Sequence, residues 1–421
     1  MTTILFVIPD YENIWENLGI AYISAYIKKN YQGELSIRCL HQRFTKTEKI
    51  ISAGVRCDIV AFSATTPTYS RALFIAKEIK KRNPSVRTIL GGYHATSSND
   101  IDKCFDQIVK GEGEITFLDI LNGDFRRIIS ARRAIQWSEL PFPDRDLVYN
   151  DRMVGMAEKI CGDRITSFQS RRVCPFHCKM CSEKLITGLF DPIWNPVRVR
   201  PAKDTMDEIE LVSEKYKLTM FKFVDAEFNT DEDSVIEFCQ EKIRRRNIME
   251  WQCMVHAGLM TEDMMLWMSR ANCIQIDVGV ESGSQRVLNY IGKGVSVEKI
   301  IQVFDWAKKY GIKTRAFTIL GMPIETKEDI WATDRLIQRI KPDVFGMTIL
   351  CPYPGSDLYD ERFKDIDWSR ADEYSNDFWS TPFFTNEELK SWQRYFARKH
   401  RRQLNWHQRM YVGMGNQRKS Q

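Results

Sequence analysis

The chain has no apolar run approaching the roughly 20 residues that a membrane-spanning helix requires, so no segment of it reads as a membrane span. It has no internal repeat and no low-complexity linker. No G-x-G-x-x-G follows its first apolar segment, which disfavours a dinucleotide as ligand. Charge of one sign is scarce: the formal net charge is +5 over 421 residues, too little to argue for nucleic acid. The 11 cysteines are odd in number and scattered, which suits free thiols in a reducing cytoplasm better than a disulfide framework. The opening MTTILFVIPDYE has no basic leader and turns acidic at once, so it reads as a β-strand and not as a signal peptide. Hydrophobic residues make up 43%, which allows a large core and about two or three domains.

What is present concentrates at one place. Cys174, Cys178 and Cys181 stand in the run CPFHCKMC, spaced C-x-x-x-C-x-x-C. Three thiolates at that spacing hold three irons of a [4Fe–4S] cube and leave the fourth iron open to bind and reduce a small molecule. Zinc is the alternative, but it usually takes four ligands in C-x-x-C pairs, and no second pair lies nearby. The run follows a short apolar stretch, Ile165 to Gln169, which places it on a loop after a strand. CPFHCKMC resembles the cluster loop of the radical S-adenosylmethionine (SAM) enzymes, with Met180 at a position that is usually aromatic in that family.

The first 120 residues alternate short apolar runs with helical patterns. Strands are expected over Ile4–Ile8, Leu35–Leu40, Asp58–Ser63, Arg87–Leu90 and Gln107–Val109, and helices over Leu18–Lys29 and Pro67–Lys81. This is the rhythm of a doubly wound parallel sheet of flavodoxin-like form, in which ligands sit beyond the carboxyl ends of the strands. The informative residues fall there: Ser63 to Thr66, Gly91 to Thr96 (GGYHAT) and Gly111 to Glu114 (GEGE). GGYHAT and GEGE are similar to the patterns of the cobalamin-binding domains that precede a radical SAM domain in one large subfamily. The resemblance implies cofactor contacts at Ser63, Thr65, Gly91, Gly92, Tyr93, His94, Gly111 and Glu112. Many cobalamin proteins give the cobalt a histidine from a D-x-H-x-x-G loop after the first strand, but here Glu12 stands in that place. The resemblance therefore implies a cobalt with no protein histidine, and His94 is assigned to the cofactor's periphery or to a local hydrogen bond.

The segment Leu140 to Asp146 (LPFPDRD) reads as an extended crossing, because its prolines block helix and sheet pairing. It resembles the segment that joins the two domains in the same subfamily. Beyond it the alternation resumes, with strands expected at Ile165–Gln169, Phe221–Val224, Glu250–Val255, Ile274–Val280, Thr314–Leu320 and Val344–Leu350. Thr261 reads as the cap of a helix with an acidic first turn. Six strands suit a partial (β/α)6 barrel, whose active groups gather at the strands' carboxyl ends. Asp225 and Glu227 fall where the family's SAM amino-binding motif lies, and Glu281 and Ser282 match its ribose motif in GVESGS. Arg315 suits SAM's carboxylate, since a guanidinium grips a carboxylate as a fork. The plain alternative for each is a helix cap or a surface ion pair.

After Pro354 the alternation stops. Trp368, Tyr374, Phe378, Trp379, Phe383 and Phe384 form an aromatic stretch. A helix from Asn386 to His407 carries Arg394, Arg398, Lys399, His400, Arg401 and Arg402. It reads as a lid packed on the barrel with a solvated basic face, or else as a cap that attracts an anionic substrate. Cys351, near the barrel mouth, could serve as a fourth ligand or a proton donor, but reads first as a small buried residue.

The expected division is a cobalamin-binding domain over residues 1–135, a linker over 136–160, a radical SAM domain over 161–355 and a helical cap over 356–421. The resemblance implies a cytoplasmic, cobalamin-dependent radical SAM methyltransferase with a [4Fe–4S] cluster, SAM and cobalamin as cofactors. Its partners would be a small-molecule, peptide or carrier-bound substrate and an electron donor such as flavodoxin or ferredoxin. A cyclase or ring-rearranging enzyme on the same scaffold is the alternative. A non-enzymatic cobalamin sensor would need neither the cluster loop nor the SAM motifs.

Overall fold

The structure is a computed structural model and describes residues 1–11, 13–185, 197–370 and 376–400. The chain divides into two compact units. The first holds the described residues of 1–156, 182–198 and 353–371; the second holds those of 157–181, 199–352 and 372–421.

The first unit is built on six parallel strands in the spatial order Leu35–His41, Thr2–Ile8, Ile59–Ser63, Arg87–Gly91, Gln107–Lys110, Ile128–Ser130. Thr2–Ile8 lies inside the sheet, pairing Ile4 with Ile37 on one side and with Ile59 on the other. Ile4, Leu5, Phe6, Val7 and Ile8 are all buried, which is why this strand reads as a continuous apolar run and not as an alternation. The helix Leu18–Asn30 starts where Asn17 accepts a hydrogen bond from the amide of Ile20. Five of the six strands were legible in the sequence. The sixth, Ile128–Ser130, is a three-residue edge strand with only its middle residue buried, too short to show a period.

The second unit carries six parallel strands in the order Val344–Ile349, Lys313–Leu320, Cys273–Glu281, Glu250–Val255, Met220–Phe223, Ile165–Phe168. Each strand lies beside its sequence neighbour, the order of a partial (β/α) barrel. Thr261 accepts from the amide of Met264 and starts the helix Glu262–Arg270, as its sequence position predicts. Phe221, Phe223, Phe228, Phe238 and Trp251 pack as one aromatic cluster under the sheet. The helix Asn386–Lys399 lays Leu389 and Phe396 inward, and Phe396 meets Phe345 of the strand Val344–Ile349. The helix packs on the sheet as the plainer reading expects, but its basic face is not wholly solvated: His400 is buried, and Lys399 and His400 both meet buried Asp334. Tyr374 and residues 401–407 of that expectation lie outside the described residues.

The unit boundaries differ from the expected division. The first unit runs on to Met156, through most of the expected linker. The expected cap is divided, its residues 356–371 belonging to the first unit and its described residues from 376 to the second. Among the described residues no helix is long and apolar enough to cross a membrane.

Candidate functional site

In the second unit the cysteine loop leaves the strand Ile165–Phe168 through a fixed turn. Both oxygens of Asp225 hold that turn: Oδ1 accepts from the amides of Ser170 and Arg171, each at 2.8 Å, and Oδ2 accepts from Ser170 Oγ at 2.6 Å. Asp225 is 1% exposed. It was expected to receive SAM's amino group; within the chain its oxygens are bonded to the backbone and hydroxyl of the turn that leads into the cysteine loop. Arg171 lies 4.2 Å over the Phe228 ring. Val173, next to the first cysteine, has φ +76°, a strained conformation for a β-branched residue.

The loop is backed along its length by residues 290–294. The amide of Lys179 donates to Ile291 O at 2.9 Å, Cys178 Sγ lies 3.9 Å from Gly292 O, and the Lys179 ammonium sits 4.4 Å over the Tyr290 ring. Phe176 stacks on His256, and His256 Nε2 bonds to Lys293 O at 2.7 Å. Cys178 is buried, Cys174 half-buried and Cys181 exposed. Among the described residues no three His, Cys, Asp or Glu side chains are grouped closely enough to hold a metal ion. The donor set nonetheless fits an iron–sulfur cluster by its chemistry: three thiols share one buttressed loop at a strand's carboxyl end.

Glu281 ends the strand Cys273–Glu281 with φ +58°, a second strained residue at the same end of the sheet. Its Oε1 accepts from Lys293 Nζ at 2.9 Å, and both side chains are at most one-tenth exposed. A Cβ at Gly279 would fall 2.5 Å from that oxygen and 2.7 Å from that ammonium, so the pair packs directly over the glycine. Glu227 faces the same charges. Burial raises its carboxyl pKa to about 7, against the pull of Lys293 and with a push from Glu281. Ser282 is 1% exposed; its Oγ lies 3.3 Å from Thr333 Oγ1 and accepts from the amide of Ser284. It shapes the turn after Glu281 and faces the neighbouring helix instead of an open site.

Arg315 stands opposite Asp277 in register, and its Nη1 donates to Asp277 Oδ2 at 3.3 Å. Lys222 Nζ donates to the same oxygen at 2.6 Å. Arg315 Nε and Nη2 are buried without a hydrogen-bond partner. Two orphaned donors on one guanidinium suit a bound carboxylate, which accepts two parallel N–H bonds. Sequence reading missed Lys293, His256, Asp277 and Lys222. Lys293 had a faint signal, a lysine between two glycines eleven residues after GVES; the others look like ordinary strand or turn residues.

In the first unit the strand ends present glycine backbone and hydroxyls. Gly92 has φ +92°, and a Cβ there would fall 2.7 Å from Ala64 O, so the two loops meet only through glycine. Gly91 and Gly111 are half-buried, Gly111 with φ +79°, and Thr65 is exposed. Ser63 Oγ accepts from Asn17 Nδ2 at 3.3 Å. Tyr93 is 47% exposed and donates its hydroxyl to Glu183 at 2.8 Å. These residues fit a large flat ligand lying against backbone.

Two residues of the expected set are engaged within the chain. His94 is 1% exposed, stacked on Tyr69 at 4.1 Å, with Nδ1 3.3 Å from Thr66 Oγ1 and Nε2 buried without a hydrogen-bond partner among the described residues. Glu112 turns inward and grips Arg198 through both oxygens, at 2.5 and 3.0 Å, while also accepting from the amide of Ile135. Glu12 lies outside the described residues. A cavity of about 810 Å³ opens nearby, lined by Thr96, Asn99, Lys110, Lys184, Gly355 and Tyr359 among others, and none of the expected cobalamin contacts lines it.

Residues 4–121 match the B12 binding domain and residues 169–337 match the Radical SAM superfamily. An uncharacterised methyltransferase of Pyrococcus horikoshii is 26% identical over 368 residues, covering 82% of this chain and 77% of the relative. The anaerobic magnesium-protoporphyrin IX monomethyl ester cyclase of Rubrivivax gelatinosus is 28% identical over 411 residues, covering 88% and 72%. Among solved structures, the radical SAM methyltransferase TsrM of Kitasatospora setae, with cobalamin and a [4Fe–4S] cluster bound, shares the fold with a TM-score of 0.69 at 16% identity, covering 85% of this chain and 74% of that one.

Proposed function

We propose that the chain is a cobalamin-dependent radical SAM enzyme and, among these, a methyltransferase acting on an unactivated carbon of its substrate. Its cofactors are a [4Fe–4S] cluster, SAM and cobalamin. When bound, the cluster and SAM supply a hydrogen-abstracting radical and cobalamin supplies the methyl group. The observation that carries the reading is the cysteine loop, clamped by Asp225 on one side and by residues 290–294 on the other, with strained Glu281 at the same end of the sheet.

In this reading Cys174, Cys178 and Cys181 hold the cluster. Arg315 takes SAM's carboxylate with the two donors that have no protein partner. Glu227 accepts from the amino group, and Glu281 accepts from the ribose hydroxyls. Asp225 and Ser282 position these groups through backbone and turn. Thr65, Tyr93, Gly91, Gly92 and Gly111 face cobalamin. An electron donor such as flavodoxin or ferredoxin reduces the cluster, and the substrate is a small molecule, a peptide or a carrier-bound group.

The cyclase relative supports a second reading, in which no methyl group is transferred. One experiment separates them: anaerobic turnover of the reconstituted protein with labelled SAM and candidate substrates. A methyltransferase consumes two SAM molecules per turnover, so 5′-deoxyadenosine and S-adenosylhomocysteine are expected in roughly equal amounts. Product with 5′-deoxyadenosine alone sinks methyl transfer and favours the cyclase. A variant with Cys174→Ser, Cys178→Ser and Cys181→Ser is expected to form neither.

A further inference from the structure

Lys293 is a buried cation with Glu281 as its acidic hydrogen-bond partner, on the segment that backs the cysteine loop. Its side chain is 6% exposed and donates to Glu281 Oε1 at 2.9 Å. Its own carbonyl is held by His256, which stacks on Phe176 of the cysteine loop, and the preceding carbonyl lies 3.9 Å from Cys178 Sγ. The ammonium and its carboxylate pack over Gly279, where a Cβ would meet both. The pair is therefore buried beside the segment that backs the loop.

Resting on the reading of the loop as the cluster site, we propose that Lys293 sets the reduction potential of the cluster and that Glu281 opposes it. Reduction adds one electron, from an external one-electron donor, to a cluster already anionic with its thiolates. A fixed cation nearby stabilises the reduced form and a fixed anion destabilises it, and burial keeps both effects from being screened by water. The two members of one ion pair therefore act with opposite signs, which mere damage to the loop would not produce.

The test is a potentiometric titration followed by electron paramagnetic resonance, on anaerobically reconstituted full-length protein without SAM, with iron counted in each sample. Lys293→Met is expected to make the one-electron reduction at least tenfold less favourable, a fall of about 59 mV. Lys293→Arg keeps the charge and is expected to stay within threefold of the parent. Glu281→Gln keeps the hydrogen bond to Lys293 while removing the negative charge, and is expected to shift the equilibrium in the opposite direction. If Lys293→Met fails to assemble a cluster, Glu281→Gln decides alone, and an unchanged potential there overturns the proposal. Shifts of the same sign in Lys293→Met and Glu281→Gln also overturn it. A parent protein that binds no iron at all overturns the cluster reading itself, which is a different outcome from an intact cluster with an unmoved potential.

Discussion

Phe176 and His256 stack face to face, with ring centroids 3.8 Å apart and planes within 15°. The two lie 80 positions apart in the chain, one inside the cysteine loop and the other after the strand Glu250–Val255. Burial holds the imidazole pKa down at about 4, so the ring is neutral. Its Nδ1 accepts from the amide of Gly258 at 3.1 Å, which leaves Nε2 to donate its proton to Lys293 O. A neutral, fully bonded ring is a rigid platform, and the loop rests on it.

Removing the loop's half of that stack tests it. Phe176→Ala forfeits an aromatic pair worth about 1 kcal/mol and frees the loop between its first two cysteines. The expected result is a reconstituted protein with unchanged secondary structure but lower iron content and faster loss of iron to a chelator. Iron retention equal to the parent would show that the stack is incidental to the loop.

The cobalt environment is tested by spectroscopy of the cob(II)alamin-loaded protein. No histidine nitrogen is expected on the metal, because His94 is buried in a stack with Tyr69 and Glu12 occupies the position where a histidine would be expected. Nitrogen superhyperfine splitting that vanishes in a His94→Gln variant would reverse this assignment.

Glu112 gives a test that separates folding from cofactor binding. Its side chain and that of Arg198 are both under one-tenth exposed, and removing one partner of such a pair leaves a buried charge, at a cost of about 3–5 kcal/mol. Glu112→Ala is expected to lower the melting temperature of the cobalamin-free protein by on the order of 10 °C. Cobalamin affinity of the folded protein is expected to stay within about threefold, which spectral titration measures. The reverse pattern, intact melting with lost affinity, would restore Glu112 as a cofactor contact.

A pH dependence follows from Glu325, which is 1% exposed and accepts from the amide of Gly321 at 2.6 Å. Burial raises its pKa from 4.5 to about 8. The folded state therefore holds a proton that the unfolded state releases above pH 4.5. Its contribution is full below that value and is lost as the pH rises towards 8, by up to about 1.4 kcal/mol per pH unit. Glu325→Gln cannot titrate and is expected to flatten denaturant midpoints between pH 5 and 8. Parallel slopes in parent and variant would exclude Glu325 as the source.

The sequence by itself determined the elements and the loop chemistry. Strand periods, the cap at Thr261, the glycines at 91, 92 and 111 and the spacing of Cys174, Cys178 and Cys181 are local patterns, and local patterns survive in one dimension. Which partner each carboxylate finds within the chain was decided only in three dimensions. Asp225 and Glu112 look like ligand-facing acids at strand ends, but their oxygens are taken by Ser170 and Arg171 in one case and by Arg198 in the other. Glu281 keeps its place beside the loop because Lys293, twelve residues on, folds back against it over a glycine. A buried charge must find its partner wherever the chain returns to it, and that return is a property of packing and not of spacing.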